Sequence, residues 1–397
     1  MNRIWQQLAI ATNWPVLVAA AVLSALGMVS IWADNPVDGT RQAVFLGVAV
    51  GCMALFQAVD YRKIGQLSWG FYALSFLLVM YTVVGRSIPG MPGVKVTKGA
   101  CNWIRFGSFS LQPAELMKVA FILVLARYLR FRSNYRTIQG LLAPFALALV
   151  PLLMILKQPD LGTALVFIPI LFAMLFCAGA KVSHLGTIVL IGLALAPVAW
   201  LAGKDAKTGE PYSKLPGFKH LPTLVQNYQR ARVKALFNGT NDPATLKNEG
   251  YQTYQATIAF ASGGPTGKGP GNIPVGKHVP EAHNDMVFAL VGEQFGFLGS
   301  AVVLGAYIVL FAAGVEIAAA TKEPFGRLIA IGIVAMLAGQ TFINLMVATR
   351  LMPVTGVTLP FVSYGGTSLL ASYMAAGLLL NVGQNRPIVM ARESFEF

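Results

Sequence analysis

Ten stretches of this chain are each long and apolar enough to cross a lipid bilayer, and nothing else in the sequence restricts the fold so strongly. They cover residues 15–33, 41–58, 67–85, 113–130, 139–156, 161–179, 182–203, 286–315, 326–349 and 361–384. A crossing helix needs roughly 17–25 predominantly apolar residues. Backbone in lipid must satisfy its own hydrogen bonds, so each stretch reads as a helix. The sequence therefore predicts an all-α integral membrane protein with about ten transmembrane helices, residues 1–397 forming one polytopic membrane domain. The charged share is 12%, about half that of soluble domains. The first apolar run is too long for a cleaved signal and is followed by many more.

Charge sets the expected orientation. With the N-terminus inside, the inner segments hold twelve cations: Arg3, Arg62, Lys63, Arg127, Arg130, Arg132, Arg136, Lys181, Lys322, Arg327, Arg386 and Arg392. The short outer loops and their edges hold seven: Arg41, Arg86, Lys95, Lys98, Arg105, Lys157 and Arg350. Positive residues gather on the cytoplasmic side, so both termini are expected there. The net charge of +14 then suits a membrane surface with anionic lipid, and no nucleic-acid partner is expected. Two outer loops are large, Arg86–Leu111 and Lys204–Asn284, the second with ten Lys or Arg. Long loops escape the positive-inside rule. Within the second, residues 224–237 have helical periodicity, with Leu224, Val225, Tyr228, Ala231 and Ala235 on one face and Arg230, Arg232 and Lys234 elsewhere. That pattern predicts a helix on the membrane surface. Ser262–Gly271 is Gly-rich but lacks the spacing and preceding strand of a phosphate-binding loop, and reads as a close-packed turn returning the chain to the membrane.

Four motifs carry possible chemistry. Near Trp103 and Arg105, Gln112-Pro113 opens a helix on which Glu115 and Lys118 lie three apart and can pair, either as a packing device or as ligands. Asp160 and Thr163 fit an N-cap better than catalysis. Val279–Gly299, where wet loop meets apolar run, holds Glu281, His283, Asp285 and Glu293. As one unbroken helix, residues 286–315 would be about 45 Å long, with Glu293 roughly 12 Å from Asp285. Glu293 then pairs with another helix or with Lys118, and spacing alone favours an N-cap role for Asp285. Finally, residues 350–368 are broken by Pro and Gly at membrane depth, which is tolerated where backbone is buried in protein or lines a cavity. Arg350, Ser363 and Tyr364 would there face an anionic head group. The three cysteines offer no disulfide framework or metal cluster. A hard divalent cation (Mg2+ or Mn2+) held by carboxylates such as Asp285 leaves no spacing signature and stays open. No organic cofactor is expected.

Together these motifs resemble the shape, elongation, division and sporulation (SEDS) proteins of bacteria over essentially the whole chain. The resemblance rests on Gln112-Pro113-Ala114-Glu115 with Lys118, Gln158–Thr163, Gly263-Gly264 through Gly267-Lys268-Gly269, Pro280–Asp285 and Leu359–Gly366. It departs at Ala114 and Ala256, where the family often has Ser, at Met286-Val287, and at Gln294, where a Glu is common. The resemblance implies a peptidoglycan glycosyltransferase polymerising lipid II at the outer face of the bacterial cytoplasmic membrane. It implies Asp285 as the catalytic general base, with Trp103, Arg105, Gln112, Glu115, Lys118, Glu281, His283, Arg350, Ser363 and Tyr364 as substrate-binding candidates. It implies a class B penicillin-binding protein, a transpeptidase, as partner. Within the family the chain looks nearer the elongation type, RodA, than the division type, FtsW. A lipid II flippase and a non-catalytic scaffold for the transpeptidase remain alternatives.

Overall fold

The computed structural model describes residues 13–88, 90–94, 101–107, 109–131, 136–205, 210–212, 218, 221–223, 225–238 and 250–385. Arg3, Lys95, Lys98, Arg132, Leu224, Arg386 and Arg392 lie outside the described residues. The helices are α1 (Trp14–Asp34), α2 (Pro36–Ala58), α3 (Tyr61–Gln66), α4 (Ser68–Ser87), α5 (Pro113–Arg130), α6 (Ile138–Lys157), α7 (Leu161–Ala178), α8 (Val182–Leu201), α9 (Asn227–Asn238), α10 (Tyr251–Ser262), α11 (Val287–Ala320), α12 (Pro324–Ala348) and α13 (Gly366–Gln384). Two short strands, β1 (Ile104–Phe106) and β2 (Phe109–Leu111), pair antiparallel. Among the described residues nine helices are long and apolar enough to cross a membrane. The tenth expected helix, α5, is buried and keeps four charges, Glu115 and Lys118 at one end and Arg127 and Arg130 at the other.

Depth follows residue size and polarity. α13, rich in Gly, Ala and Ser, is the most buried span and packs along α2, while α5 lies between α4 and α12. Apolar Leu and Val gain nothing by leaving lipid, so small residues that allow close approach occupy the centre. α8 is the opposite case: only Leu185 is buried, and it touches little beyond α7.

The unbroken helix expected over 286–315 is not what forms. Gly296 sits at φ 65°, ψ −158° and breaks α11. The Gly-rich turn plugs the break. Gly264 and Pro265 carbonyls accept the amides of Phe297 (2.8 Å) and Leu298 (3.1 Å), and the amides of Lys268 and Gly269 donate to the carbonyls of Glu293 (3.0 Å) and Gln294 (2.9 Å). Backbone freed by the kink is thus satisfied from within the protein, as membrane depth demands. The approach leaves no space: a Cβ at Gly296 would meet Gly267 N at 2.3 Å, and one at Gly267 would meet Gln294 O at 2.2 Å. Glu293 accordingly pairs with Lys268 of the turn (2.7 Å), not with Lys118, and accepts the amides of Val275 (3.1 Å) and Gly276 (2.7 Å). Gln294 donates its amide to Ser30 O on α1 (3.2 Å), a bond the more common Glu would not make.

α9 forms close to its predicted place, but Arg230 is not on a polar face. It is buried, stacked over Tyr212 (3.6 Å) and near Trp200 (5.0 Å), and donates to the carbonyls of Val225 (3.0 Å), Ala202 (3.3 Å) and Trp200. That fork docks α9 onto the end of α8. At another corner Glu323 accepts Tyr61 Oη, Arg62 Nε (3.0 Å) and Arg130 (3.1 Å). Burial would raise its carboxyl, yet these donors hold it below the ordinary range. The cluster ties α3 and the end of α5 to the start of α12.

Gly296→Ala forces an L-residue into the left-handed region against backbone and should cost about 2 kcal/mol or more. Denaturant unfolding in detergent checks this; unchanged stability would show that the kink is not held as described.

Candidate active site

At one end of the bundle five chain segments, with Arg232 of α9, enclose a polar cavity of about 630 Å³. The first is the hairpin. Period-two alternation sends Ile104 into the core and leaves Trp103 and Arg105 on the cavity side, with Ser110 opposite Arg105 and Gln112 leading into α5. The second is the turn before α7. Asp160 caps that helix, accepting Thr163 N (3.0 Å) and Thr163 Oγ1 (2.9 Å), as its spacing predicts. Asp160 also does more. It is 7% exposed, lines the cavity and accepts Gln112 Nε2 (3.0 Å) and Asn102 Nδ2 (3.4 Å). Burial pushes its carboxyl above the ordinary range, against the Thr163 bonds.

The third segment carries Asn284 and Asp285. Met286, and not Asp285 as spacing favoured, occupies the cap position of α11. Asp285 lines the cavity instead. Its position is fixed through its backbone: Asn344, buried in α12, donates from one amide to Asp285 O (2.8 Å) and Val357 O (2.7 Å). The fourth segment, 350–365, contributes Thr355, Gly356, Thr358 and Tyr364. Gly356 is at φ +78°, and a Cβ there would lie 3.7 Å from Asp285 Oδ2. Gly162 packs far more closely on the Thr355 carbonyl, where a Cβ would intrude to 2.4 Å. The strap therefore runs from the Asp160 turn to the Asp285 carboxylate. Burial, with the Asp38 carboxylate adding, raises the Tyr364 phenol. The fifth segment is α2, with Arg41 and Phe45.

The remaining candidates fall into supporting places. Glu115 and Lys118 bond each other at 2.8 Å, 5% and 1% exposed, and do not line the cavity. Ser363 is a tie: Oγ donates to Asn284 O (2.6 Å) and accepts Leu359 N (2.8 Å). His283 Nδ1 lies 3.3 Å from Asp34 Oδ2, its ring edge-on to Tyr364, and its carbonyl accepts Tyr364 N (2.8 Å). Glu281, at φ 52°, accepts Asn284 Nδ2 (2.8 Å) and shapes the turn beneath Asp285. Arg350, at φ 59°, sits in the turn after α12 and is not on the cavity wall. The cations that do line it are Arg41, Arg105 and Arg232, the last also donating to Val354 O (2.9 Å). Sequence reasoning missed Arg41, Arg232, Asn102 and Thr355 as site residues. Only the number of arginines in the outer loops hinted at the first two.

Two wall residues carry buried oxygens with no partner among the described residues, Thr355 Oγ1 and Asn102 Oδ1. Such atoms cost about 1–3 kcal/mol each unless water or ligand meets them. Among the described residues no group of three or more Asp, Glu, His or Cys is placed to hold a metal.

A multi-pass membrane protein with a polar, arginine-lined cavity at one end of its bundle is the class this structure defines. The family is equally plain. The FtsW/RodA/SpoVE profile, described as cell cycle protein, matches residues 2–387. The chain is 34% identical over 389 residues to a probable peptidoglycan glycosyltransferase FtsW of Geobacter sulfurreducens, covering 92% of this chain and 94% of that protein. It is 33% identical over 378 residues to stage V sporulation protein E of Bacillus subtilis, covering 93% and 94%. Among solved structures it is similar to the rod shape determining protein RodA of Thermus thermophilus, with 29% identity, TM-score 0.67, and 94% and 97% of the two chains covered. It is also similar to a chain from a peptidoglycan synthase complex said to coordinate polymerization and crosslinking, with 29% identity, TM-score 0.75, and 94% and 98% covered. The chain belongs to the FtsW/RodA/SpoVE family, the SEDS proteins.

An acid whose folded pKa is raised binds a proton more tightly folded than unfolded, so its contribution falls as pH rises from the unfolded value, about 4, through the folded one. Asp160→Asn should therefore flatten stability against pH above about 4. Unfolding of both proteins across that range measures it; parallel curves would contradict the burial of a titrating Asp160.

Proposed function

We infer that this chain is a peptidoglycan glycosyltransferase that polymerises lipid II in the cavity, with Asp285 as the general base. The observation that carries this is the placement of Asp285 on the wall of a polar cavity that three arginines share. In the reaction a sugar hydroxyl of the acceptor attacks the anomeric carbon of the donor. A carbon–oxygen bond forms, the hydroxyl proton passes to the Asp285 carboxylate, and the bond to the lipid pyrophosphate breaks. A base at the reacting hydroxyl supplies roughly 10²–10⁴-fold. The departing pyrophosphate takes the electron pair and leaves as an anion, which calls for fixed cations rather than an acid. Arg41, Arg105 and Arg232 are suited to this, because guanidinium groups meet phosphate oxygens in pairs. They take the place expected of Lys118, which is neutralised by Glu115, and of Arg350.

A divalent cation would have to be held by Asp285 together with substrate phosphates and water, since the Asp160 oxygens already accept bonds from Gln112, Asn102 and Thr163. If bound, it would add positive charge at the pyrophosphate. The cavity faces the outer side in this account, because Arg62, Lys63, Arg127, Arg130, Lys322 and Arg327 gather at the opposite end, and both termini are then cytoplasmic. Relatives at 33–34% identity carry the names FtsW and stage V sporulation protein E, and the neighbours named RodA are at 28–29%. A role in division is thus better supported than the elongation role the sequence suggested. A class B penicillin-binding protein is the expected partner, on the analogy of the synthase complex.

Purified protein should extend lipid II into glycan strands, and Asp285→Asn should lower the rate at least about a hundredfold while folding is retained. Wild-type-like strand synthesis by that variant would overturn the role of Asp285. Translocation of labelled lipid in liposomes without polymerisation would point to a flippase instead. Arg232→Gln should reduce kcat about tenfold or more with a smaller change in KM; a pure KM effect would place Arg232 in ground-state binding only.

A further inference from the structure

A second cleft lies at the end of the bundle away from the cavity. α7 begins beside cavity-lining Asp160 and runs 18 residues, about 27 Å. Its last turn, at Cys177, therefore reaches the opposite membrane boundary. There Cys177, Val315, Ala318 and Ala319 of α7 and α11 meet Arg327 and Ile331 of α12 around a space of about 280 Å³. The walls are apolar but for one guanidinium.

Arg327 differs from Arg62, Arg127 and Arg130 at this end. Arg62 and Arg130 are engaged by Glu323, and Arg127 donates to Gly65 O. Arg327 is exposed, and its side chain has no hydrogen bond or ion pair with any described residue. Exposed Lys322 stands in the turn just before α12 and exposed Lys181 just after α7, against one exposed carboxylate, Glu316 on α11. A cation that no described residue satisfies, at the rim of an apolar slot between membrane helices, matches one occupant by chemistry. We propose that this cleft is a binding site for an anionic phospholipid of the leaflet opposite the cavity, its phosphate on Arg327 and an acyl chain against Val315, Ala318, Ala319 and Ile331.

Each part of the lipid has its counterpart. The guanidinium fork suits two phosphate oxygens, and basic pockets between helices on this side of a membrane favour anionic head groups. Ala318 and Ala319 leave room beside the helix axis that a larger side chain would fill. A free phosphate ion would use Arg327 alone and have no need of the apolar walls.

The test uses the full-length protein in mixed phosphatidylglycerol and phosphatidylcholine nanodiscs, followed by extraction into mild detergent and native mass spectrometry of retained lipid. Wild type should retain phosphatidylglycerol in preference to phosphatidylcholine. Arg327→Gln should lower that retention about fivefold or more, and Arg327→Lys less. Ala319→Phe, which keeps the charge and fills the slot, should also lower it. Circular dichroism confirms that the variants are folded. Equal retention of both lipids by wild type, undiminished phosphatidylglycerol on Arg327→Gln, or unaltered retention by Ala319→Phe would each overturn the proposal. So would complete displacement of the lipid by millimolar inorganic phosphate, which would mark an ion site only.

Discussion

Non-helical backbone at membrane depth governs this structure. Three irregular runs, 263–276, 279–286 and 350–365, lie against the membrane helices. Where these runs are buried, water cannot satisfy their amides and carbonyls, so the protein must. A few buried polar side chains do so. Asn344 holds the carbonyls of Asp285 and Val357, Ser363 ties Leu359 N to Asn284 O, and Gln42 brackets Ser363 O (3.1 Å) and Gly365 N (3.3 Å). Glu293 with Lys268 performs the same service for the Gly-rich turn. These ties hold the irregular chain that forms much of the cavity wall.

The same ties divide labour between charged groups. Lys118 and Glu115, or Lys268 and Glu293, are closed pairs that fix helix packing. A buried pair contributes little net stability but is costly to break, which suits a positional role. Asp160 combines a cap with a place on the cavity wall, and burial keeps its carboxyl harder to ionise than usual. Asp285 is held by its backbone carbonyl and lines the cavity beside Gly356. At the far end, Glu323 gathers Tyr61, Arg62 and Arg130, and burial with that carboxylate pushes the Tyr61 phenol up to about 12. One end thus gathers arginines and carboxylates around a cavity, and the other closes its charges into a cluster that joins helices.

Apolar runs of sufficient length made nearly every spanning helix legible in advance, because lipid leaves a backbone few alternatives. Asp160 as a cap and the 350–368 break as cavity wall were legible for the same reason: local backbone chemistry leaves local marks. Other features left none. The kink at Gly296 depends on Gly264 and Gly267, some thirty residues earlier, and hydropathy runs straight across it. The β-hairpin is too short for a period to register. Arg41 and Arg232 join Asp285 on the cavity wall only through tertiary folding, and the arginine pattern in α9 concealed that Arg230 turns inward while Arg232 reaches the cavity. The role of Asp285 itself could not be read from spacing, which favoured for it the cap position that Met286 occupies.

The central claim is that lipid-linked substrate occupies the cavity beside Asp285. Site-specific photo-crosslinking with a labelled lipid II analogue tests it most directly. A photoreactive side chain at Thr358, on the cavity wall, should capture the analogue, and one at Ile308, exposed on the lipid-facing side of α11, should not. Equal capture at both positions, or capture at Ile308 alone, would contradict the account.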